Sequence, residues 1–233
     1  DNRTVGGAAA SLGAGGRSIR RHMMVKQERA ARTRRALVLA AAEAFASEGF
    51  ALASLSAISR RAGVSNGALH FHFENKKALA DAVQQEAAAS VARMTGLAES
   101  AGDALQALVN ATHGLMSRIA DDSVVRAGFE LGGDPSRGRD GELRRQWQEW
   151  IEVTLARAQQ EGLLAEGIAS ERLASAVVAA TVGFEVLGVR DPEWLSEAKL
   201  AHFWELVLPQ MAADGVSKVL PVAVAGEAVE QPG

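Results

Sequence analysis

The sequence of 233 residues predicts an all-α protein, and three observations support this fold class. Apolar residues make up 48% of the chain, alanine is very common, and Ala, Leu, Glu and Arg all favour helices. Apolar side chains recur at the three- and four-residue spacing of amphipathic helices in several stretches. No stretch of strand length alternates Val, Ile and Thr with polar residues, as a half-buried strand would.

The first predicted helix runs from Gln27 to Glu48. Its apolar residues fall at helical spacing, and Gly49 follows where the pattern stops. A glycine ends a helix readily, because it has no Cβ and adopts positive φ at little cost. We therefore expect the first helix to end at Gly49.

Two short helices around a tight turn come next. The first is predicted over Ser56–Ala62 and the second over Asn66–Phe71. Gly63 supplies the turn, and Ser65 is a good N-cap for the second helix. This arrangement is typical of a helix-turn-helix, in which the second helix enters the DNA major groove. On spacing alone, the alternative is an ordinary αα-hairpin.

A long helix is predicted from Lys76 to Thr95 with Asn75 as its N-cap, and Gly96 and Gly102 bracket a break after it. It would join the helix-turn-helix domain to a second helical domain. Further helices are predicted over Asp103–Ile119, Val124–Leu131, Glu142–Gln160, Glu171–Val189 and Leu195–Met211. We interpret the Gly-rich stretch over 131–141 as a flexible connection.

Four segments are predicted from this pattern. Residues 1–22 are rich in Gly, Ala, Ser and Arg and are interpreted as an added or disordered leader. Residues 23–75 form the helix-turn-helix domain, residues 76–213 the second domain and residues 214–233 a flexible tail. No apolar stretch reaches 18 uncharged residues, so no membrane span is expected. The chain lacks cysteine, which suits a cytoplasmic protein.

Charge separates the two predicted domains. Residues 23–80 hold nine Lys or Arg against four Glu, whereas residues 81–233 hold 12 basic and 23 acidic side chains. A basic head on an acidic body fits a DNA-binding domain joined to a domain that avoids DNA. The alternative is a solvated surface without a partner.

The recognition helix carries residues with suitable chemistry for DNA. An Asn at its start can pair with an adenine edge, and small residues allow close approach to the bases. Histidine can donate to phosphate, as can a lysine at a helix N-terminus. The predicted DNA-binding residues are Arg34, Arg35, Ser65, Asn66, Gly67, Ala68, His70, His72 and Lys76. For the arginines, plain solvation is the alternative.

No catalytic or metal-binding pattern is visible. His70 and His72 lie two residues apart and would not share a helix face, and no Cys or Asp completes a metal site. The sequence holds no phosphate loop and no nucleophile elbow. We therefore predict a protein without a metal or cofactor, and not an enzyme.

The run GVSNGALHFHFENKKAL resembles the signature of the TetR family of bacterial repressors. Gly63, Val64, Ser65, Leu69, His72, Phe73, Lys76 and Leu79 match the family pattern, and His70 replaces the usual Tyr. The stretch from Thr33 to Phe50 resembles the family's first helix. The resemblance implies a homodimeric regulator with a helix-turn-helix DNA-binding domain and a helical domain for ligand binding and dimerisation.

GALHFHF, VVRAGFELG and QEWIEVTLARAQQEGLL resemble a narrower group, the γ-butyrolactone autoregulator receptors of actinobacteria. This resemblance implies that Trp150 stacks on a small, mostly apolar ligand. Thr181 and Phe184, on the facing helix, are weaker candidates for a hydrogen bond and a wall of the pocket. Among Ile151, Val153 and Thr154, a Trp could instead belong to the core.

The last two predicted helices bear on assembly. SAVVAATVGFEVLGV presents small and apolar residues on all sides, and Phe203-Trp204 follows in the final helix. Burial in the core is one explanation. The resemblance to TetR regulators favours a four-helix dimer interface, with Val182, Phe203 and Trp204 as its candidate residues.

These features lead to one functional hypothesis and two alternatives. We expect a ligand-responsive repressor that binds a palindromic operator in double-stranded DNA as a homodimer. It would release the operator when a small molecule binds, such as a γ-butyrolactone or an antibiotic-related compound. The alternatives are a structural DNA-binding protein that needs no ligand, and a helical enzyme with a vestigial helix-turn-helix.

Overall fold

The computed structural model describes residues 12–133 and 141–213, with side chains from residue 23 onward. Within these ranges the chain forms nine α-helices and one 3₁₀ turn, as the all-α prediction requires. The helices are α1 Leu12–Leu52, α2 Leu55–Arg61, α3 Asn66–His72, α4 Lys76–Glu99, α5 Ala104–Asp121, α6 Ser123–Gly133, α7 Glu142–Gln160, α8 Ser170–Gly188 and α9 Glu197–Met211, with a 3₁₀ turn at Pro192–Leu195 before α9.

The helix-turn-helix forms as predicted. Gly63 adopts φ 68° in the turn between α2 and α3. The Ser65 hydroxyl accepts a hydrogen bond from the Ala68 backbone N–H at 3.1 Å. Asn75 caps α4 in the same way, since its side-chain oxygen accepts from the Ala78 N–H at 2.9 Å. These caps satisfy backbone donors that helix starts otherwise leave unpaired, so the helices begin where the sequence indicates.

Three predicted boundaries are wrong. α1 begins at Leu12 rather than Gln27, so part of the stretch interpreted as a leader is helical. The predicted end of α4 at Thr95 is also wrong, because Gly96 lies inside α4, which continues to Glu99. A glycine weakens a helix by about 1 kcal/mol, and the neighbouring turns of α4 hold it in place. At Gly49, by contrast, the chain does leave helical geometry, with φ 79°. The final helix begins at Glu197, after the 3₁₀ turn. The predicted tail over 214–233 lies outside the described residues.

Two hydrophobic cores divide the molecule. The first holds the buried residues of α1 to α3 and the start of α4, including Leu37, Phe45 and Leu69. The second core surrounds Trp147 and Trp204 and is formed by side chains from every helix from α5 through α9. α4 contributes to both cores, and α6 contributes Ala127 and Leu131 to the first and other residues to the second. α4 and α6 therefore connect the helix-turn-helix to the rest of the molecule.

α6 lies against α4 with no space between them. A Cβ added at Gly128 of α6 would lie 2.5 Å from the Ala87 Cβ of α4. Such a distance is far inside the optimal carbon contact of about 3.5–4.0 Å. Among the described helices, none is long and apolar enough to cross a membrane.

Candidate functional site

The short helix α3 is fixed on one side and free on the other. Leu69 is buried and Phe73, which caps the helix, is 4% exposed. Anchoring by these two side chains turns the opposite side outward, where Asn66, Gly67 and His70 are exposed. We call this outward side, from Asn66 to Phe71, the recognition surface.

Asn66 is oriented by a buried neighbour. The Ser59 hydroxyl of α2 donates to Asn66 Oδ1 at 2.6 Å, and Ser59 is only 2% exposed. The amide oxygen of Asn66 is thereby engaged within the fold, whereas its two amide hydrogens remain as donors. A purine N7 or a base carbonyl in the major groove can accept from such donors.

Phe71 is the residue of the recognition surface that the sequence analysis missed. It is 81% exposed, and its ring meets the His72 ring edge-on at 5.2 Å between centroids. His72 itself is half-buried, and so is Ala68. The signal in the sequence was the helical position of Phe71, which is two residues from the buried Leu69 and therefore off its face. An exposed ring on this surface can contact a thymine methyl group.

The structure gives Lys76 a different role from the predicted one. Its ammonium group donates to three backbone carbonyls, those of Phe50 at 2.7 Å and Ala51 at 3.1 Å in the last turn of α1 and that of Ala53 at 3.0 Å just after it. It also lies 4.6 Å from the centre of the Phe50 ring. A lysine ammonium has three N–H donors, so all the donors of Lys76 are engaged in hydrogen bonds within the protein. The expectation that Lys76 binds phosphate is therefore corrected to a structural role.

The two α1 arginines among the predicted DNA-binding residues differ from Lys76. Arg34 and Arg35 are both exposed, and the Arg34 guanidinium lies 5.2 Å from the centre of the Phe73 ring. Since Phe73 caps α3, this contact places Arg34 beside the C-terminal end of the recognition helix. Their predicted role at the DNA backbone stays a prediction.

Trp150 lies in a chain of polar contacts around Trp147. The two indole rings stack at 5.3 Å with an interplanar angle of 17°. The Trp150 N–H donates to Glu99 Oε1 at 2.7 Å, which ties α7 to the end of α4. The Trp147 N–H donates to the Thr181 hydroxyl at 3.0 Å. Trp147 is buried and Trp150 is half-buried, so Trp150 forms the outer member of the stack.

The other two predicted ligand residues lie differently. The Thr181 hydroxyl accepts from Trp147 and donates its hydrogen to the Val178 carbonyl, so it has no hydrogen left for a ligand. Phe184 packs against Trp194 at 6.1 Å and Phe203 at 5.8 Å between ring centroids. Within the described part of the chain, Phe184 makes no ring contact with Trp150. The structure thus links Trp150 to Thr181 through Trp147 and places Phe184 in another aromatic cluster.

A cavity of about 310 Å³ opens where α6, α7 and α8 meet. Arg144 of α7 donates to both oxygens of Glu185, at 2.9 and 2.6 Å. Burial raises the pKa of Glu130 to about 7, and Glu185 adds to this while Arg126 opposes it. The sequence did not indicate this cluster of Glu130, Arg144 and Glu185, because Glu185 stands in an otherwise apolar stretch. The lining residues are Glu130, Gly133, Arg144, Glu185, Val186, Val189 and Arg190.

Comparison with known proteins identifies the family. The family of bacterial regulatory proteins named for tetR matches residues 37–83, which cover the C-terminal part of α1, all of α2 and α3, and the start of α4. The A-factor receptor protein of Streptomyces griseus is 32% identical over 203 residues, which cover 83% of this chain and 68% of that protein. The chain belongs to the TetR family. This family consists of transcription regulators rather than enzymes, and the chain is a DNA-binding regulator similar to γ-butyrolactone receptors.

Solved structures agree with this assignment. A structure of CprB from Streptomyces coelicolor in complex with its biological operator sequence is 30% identical. It has a TM-score of 0.65, and the match covers 78% of this chain and 90% of that one. A γ-butyrolactone receptor described as an ArpA-like protein is 27% identical with a TM-score of 0.66, over 79% of this chain and 89% of that one.

The predicted dimer residues of this TetR-family protein divide between its core and its surface. Trp204 is 3% exposed and its N–H donates to the Thr112 hydroxyl at 2.9 Å. It is a core residue, so its assignment to an interface is corrected. Val182 and Phe203 are half-buried. Large apolar side chains are also exposed on α8 (Val186 and Leu187), directly after it (Val189) and on α9 (Leu206), with exposed fractions of 45–73%.

Proposed function

We propose that this TetR-family regulator is a ligand-responsive repressor. As a homodimer it binds a pseudo-palindromic operator, and a small, mostly apolar molecule releases it. The observation that carries the proposal is the recognition surface, where a capped helix held by Leu69 turns Asn66, His70 and Phe71 outward. The similarity to CprB, which was solved with its operator, supports DNA as the partner.

The residues on and beside α3 have separate roles in the proposed complex. Asn66, held by Ser59, donates to a base edge, and Phe71 contacts a thymine methyl group. Contacts to phosphate position the helix, and those to the bases select the sequence. The small size of Gly67 and Ala68 allows the helix to approach the bases closely. The phosphate contacts come from Ser65, His70 and His72 and, beside α3, from Arg34 and Arg35.

The dimer is proposed to form through α8 and α9. Their outward sides combine small residues such as Ala176 and Ala179, both exposed, with Val186, Leu187 and Leu206. Small residues let two helices approach closely, and the larger ones fill the interface core. Two half-sites one helical turn apart, at about 34–36 Å, would then meet two recognition helices at once.

The ligand is proposed to bind at Trp150, whose ring is half-buried and stacked on Trp147. The similarity to a solved γ-butyrolactone receptor supports a γ-butyrolactone, and an antibiotic-related molecule is the other candidate. A ligand releases DNA only by binding the released conformer more tightly. The Trp150–Glu99 hydrogen bond joins this site to α4, and hence to the helix-turn-helix.

The test is an electrophoretic shift with the DNA upstream of the protein's own gene, followed by footprinting. We expect protection of one palindrome and release by an alkyl-substituted γ-butyrolactone or by culture extract. Asn66→Ala should cost about 1–3 kcal/mol of binding free energy at the palindrome, whereas Gln85→Ala on the exposed side of α4 should cost nothing. Protection without sequence preference, unaffected by either ligand source, would instead support a structural DNA-binding protein.

A further inference from the structure

The stretch of α1 before Arg34 stands apart from both cores. Every residue from Met23 to Arg29 is exposed, and from there to Thr33 only Ala30 and Thr33 are half-buried. Among the described side chains, neither hydrophobic core includes one before Leu37. The helix nevertheless continues without a break from Leu12 to beyond Arg35. A helix exposed in this way has a surface available for a partner.

This stretch, residues 23–33, is basic. Lys26, Arg29 and Arg32 follow one another at intervals of three residues, and Glu28 is the single acidic side chain among them. All three cations are exposed. Over the described part of the chain, no carboxylate lies within ion-pair distance of any of them. Their positive field therefore extends into solvent.

The contact of Arg34 with Phe73 shows where residues 23–33 lie relative to the recognition surface. The Arg34 guanidinium contacts Phe73 at the C-terminal end of α3, so α1 passes the recognition surface at that point. The residues before Arg34 lead away from the surface along the same helix. From Arg34 back to Met23 the helix extends about 16 Å at 1.5 Å per residue, which is about five base pairs of B-DNA at 3.4 Å each.

We propose that residues 23–33 of α1 bind the phosphate backbone of DNA that flanks the operator half-site. The proposal rests on the proposed repressor function and extends the protein's footprint beyond the palindrome. Lys26, Arg29 and Arg32 are the contacting residues. They add affinity without sequence preference, because contacts to phosphate carry no base information.

A membrane surface fits this stretch less well. An amphipathic helix that lies on a bilayer needs a long apolar side facing the acyl chains. Large apolar residues occur only at its start, where Met23, Met24 and Val25 stand together, and Ala30 and Ala31 are the only apolar residues after them. Charge without an apolar side matches a phosphate backbone.

The experiment compares two duplexes that differ in length. The wild-type protein selects a palindrome from a random library. One duplex ends at the edges of that palindrome, and the other carries ten further base pairs of mixed sequence on each side. Affinity is measured at several salt concentrations for the full chain, for Lys26→Ala/Arg29→Ala/Arg32→Ala and for Arg93→Ala/Arg145→Ala/Arg172→Ala. The second triple variant removes three exposed cations of α4, α7 and α8. Alanine favours helix, so the first should keep α1 folded, which circular dichroism verifies.

We expect the wild-type protein to bind the long duplex about tenfold more tightly, with a salt slope steeper by about 0.9 for each added phosphate contact. The first triple variant should bind both duplexes alike and match wild type on the short one, whereas the second should keep the length effect. Equal wild-type affinity for both duplexes would overturn the proposal, as would a length effect that survives in the first variant. Selection of no palindrome at all would instead overturn the repressor function and the flanking contact with it. Phosphatidylglycerol vesicles are tested with the same three proteins. Vesicle binding by the full chain that the first triple variant loses, without a length effect on DNA, would overturn the flanking contact alone.

Discussion

At the scale of single residues, Lys76 is held by three carbonyls and an aromatic ring. Hydrogen bonds to a charged group contribute about 1.5–3 kcal/mol each, with strong overlap within one network. We expect Lys76→Met to lower the free energy of unfolding by about 2–3 kcal/mol and to leave the salt slope of operator binding unchanged. Urea unfolding and affinity against salt concentration measure the two quantities.

Lys77 provides the matched control for Lys76. It is exposed and pairs with Asp81 across one helical turn, so Lys77→Met should cost below about 0.5 kcal/mol. A stable Lys76→Met protein with a salt slope lower by about one unit would restore the original phosphate assignment.

Trp150 tests the ligand site at the same scale. We expect Trp150→Ala to keep operator affinity and lose release by an alkyl-substituted γ-butyrolactone, because the ring supplies stacking area and the DNA does not touch it. Since Trp150 is half-buried, its loss should cost less stability than Trp147→Ala, for which about 3–5 kcal/mol is typical. Thermal unfolding, gel shift and ligand-induced release on both variants separate the roles. Normal release from a folded Trp150→Ala protein would contradict the assignment.

The sequence predicted those residues whose partners lie close along the chain. Ser65 and Asn75 each cap a helix by accepting a hydrogen bond from the backbone N–H three residues later, and both caps were predicted. Trp204 was assigned to a dimer interface, yet it lies in the core, and its hydrogen-bond partner Thr112 is 92 residues away along the chain. Lys76 and its carbonyl partners are at least 23 residues apart. Local hydrogen bonds follow from residue type and spacing, whereas these distant ones depend on how the helices pack.

At the scale of helices, the close contact between α4 and α6 makes a sharp test. A Cβ at Gly128 must displace Ala87, and overpacking of this kind costs about 1–3 kcal/mol. We expect Gly128→Ala to lose stability by this amount and to bind the operator more weakly without ligand, because α4 carries the helix-turn-helix. Urea unfolding and operator affinity measure both effects.

Gly96 is the control for Gly128, since it lies inside α4 with nothing within 4 Å of its added Cβ. Gly96→Ala should raise the free energy of unfolding by about 0.4–1 kcal/mol through helix propensity and the restricted unfolded chain. Operator affinity of Gly128→Ala equal to that of wild type would show that the contact is structural only.

The exposed sides of α8 and α9 carry the prediction on assembly. Leu187→Glu and Leu206→Glu should each yield monomers, because an unpaired charge in an interface core is costly to bury. Val153→Glu is the control, since Val153 is 68% exposed on α7 and should stay dimeric. Sedimentation velocity measures the outcome. Dimers that persist in both leucine variants would place the interface elsewhere. The sequence predicted that α8 is apolar on all sides and that α9 carries Phe203-Trp204, but the packing of the helices decides which of these side chains face inward.

At the scale of the whole molecule, Glu130 makes stability depend on pH. Its pKa is raised from about 4.5 to about 7, chiefly by burial, so the folded protein binds this proton more tightly than the unfolded chain does. The resulting stability is present below pH 4.5 and is lost as the pH rises through 7. His113 acts with the opposite sign, because burial lowers its pKa.

Glu130→Gln removes the contribution of Glu130 and leaves that of His113. We expect the free energy of unfolding of the variant, relative to wild type, to increase between pH 5 and 8. Urea unfolding at pH 5, 6.5 and 8 measures this difference. Glu86→Gln on the exposed side of α4 should show no such trend, and a flat difference for Glu130→Gln would contradict the assignment.

The contact between Ala87 and Gly128 also defines a pivot. Ala87 lies 11 residues after Lys76 and 12 before Glu99, so the two arms of α4 measure about 16 and 18 Å. Helices without clearance cannot slide past each other, but one can tilt about the point of contact. A displacement of about 2 Å at Glu99 would then appear, reversed and nearly undiminished, at Lys76. In a twofold dimer both arms swing, so the spacing of the recognition helices would change by about 4 Å against a groove repeat of about 34 Å. We therefore expect α4 to act as a lever whose two arms are nearly equal in length, so that a small movement beside Trp150 reaches the helix-turn-helix at nearly full size.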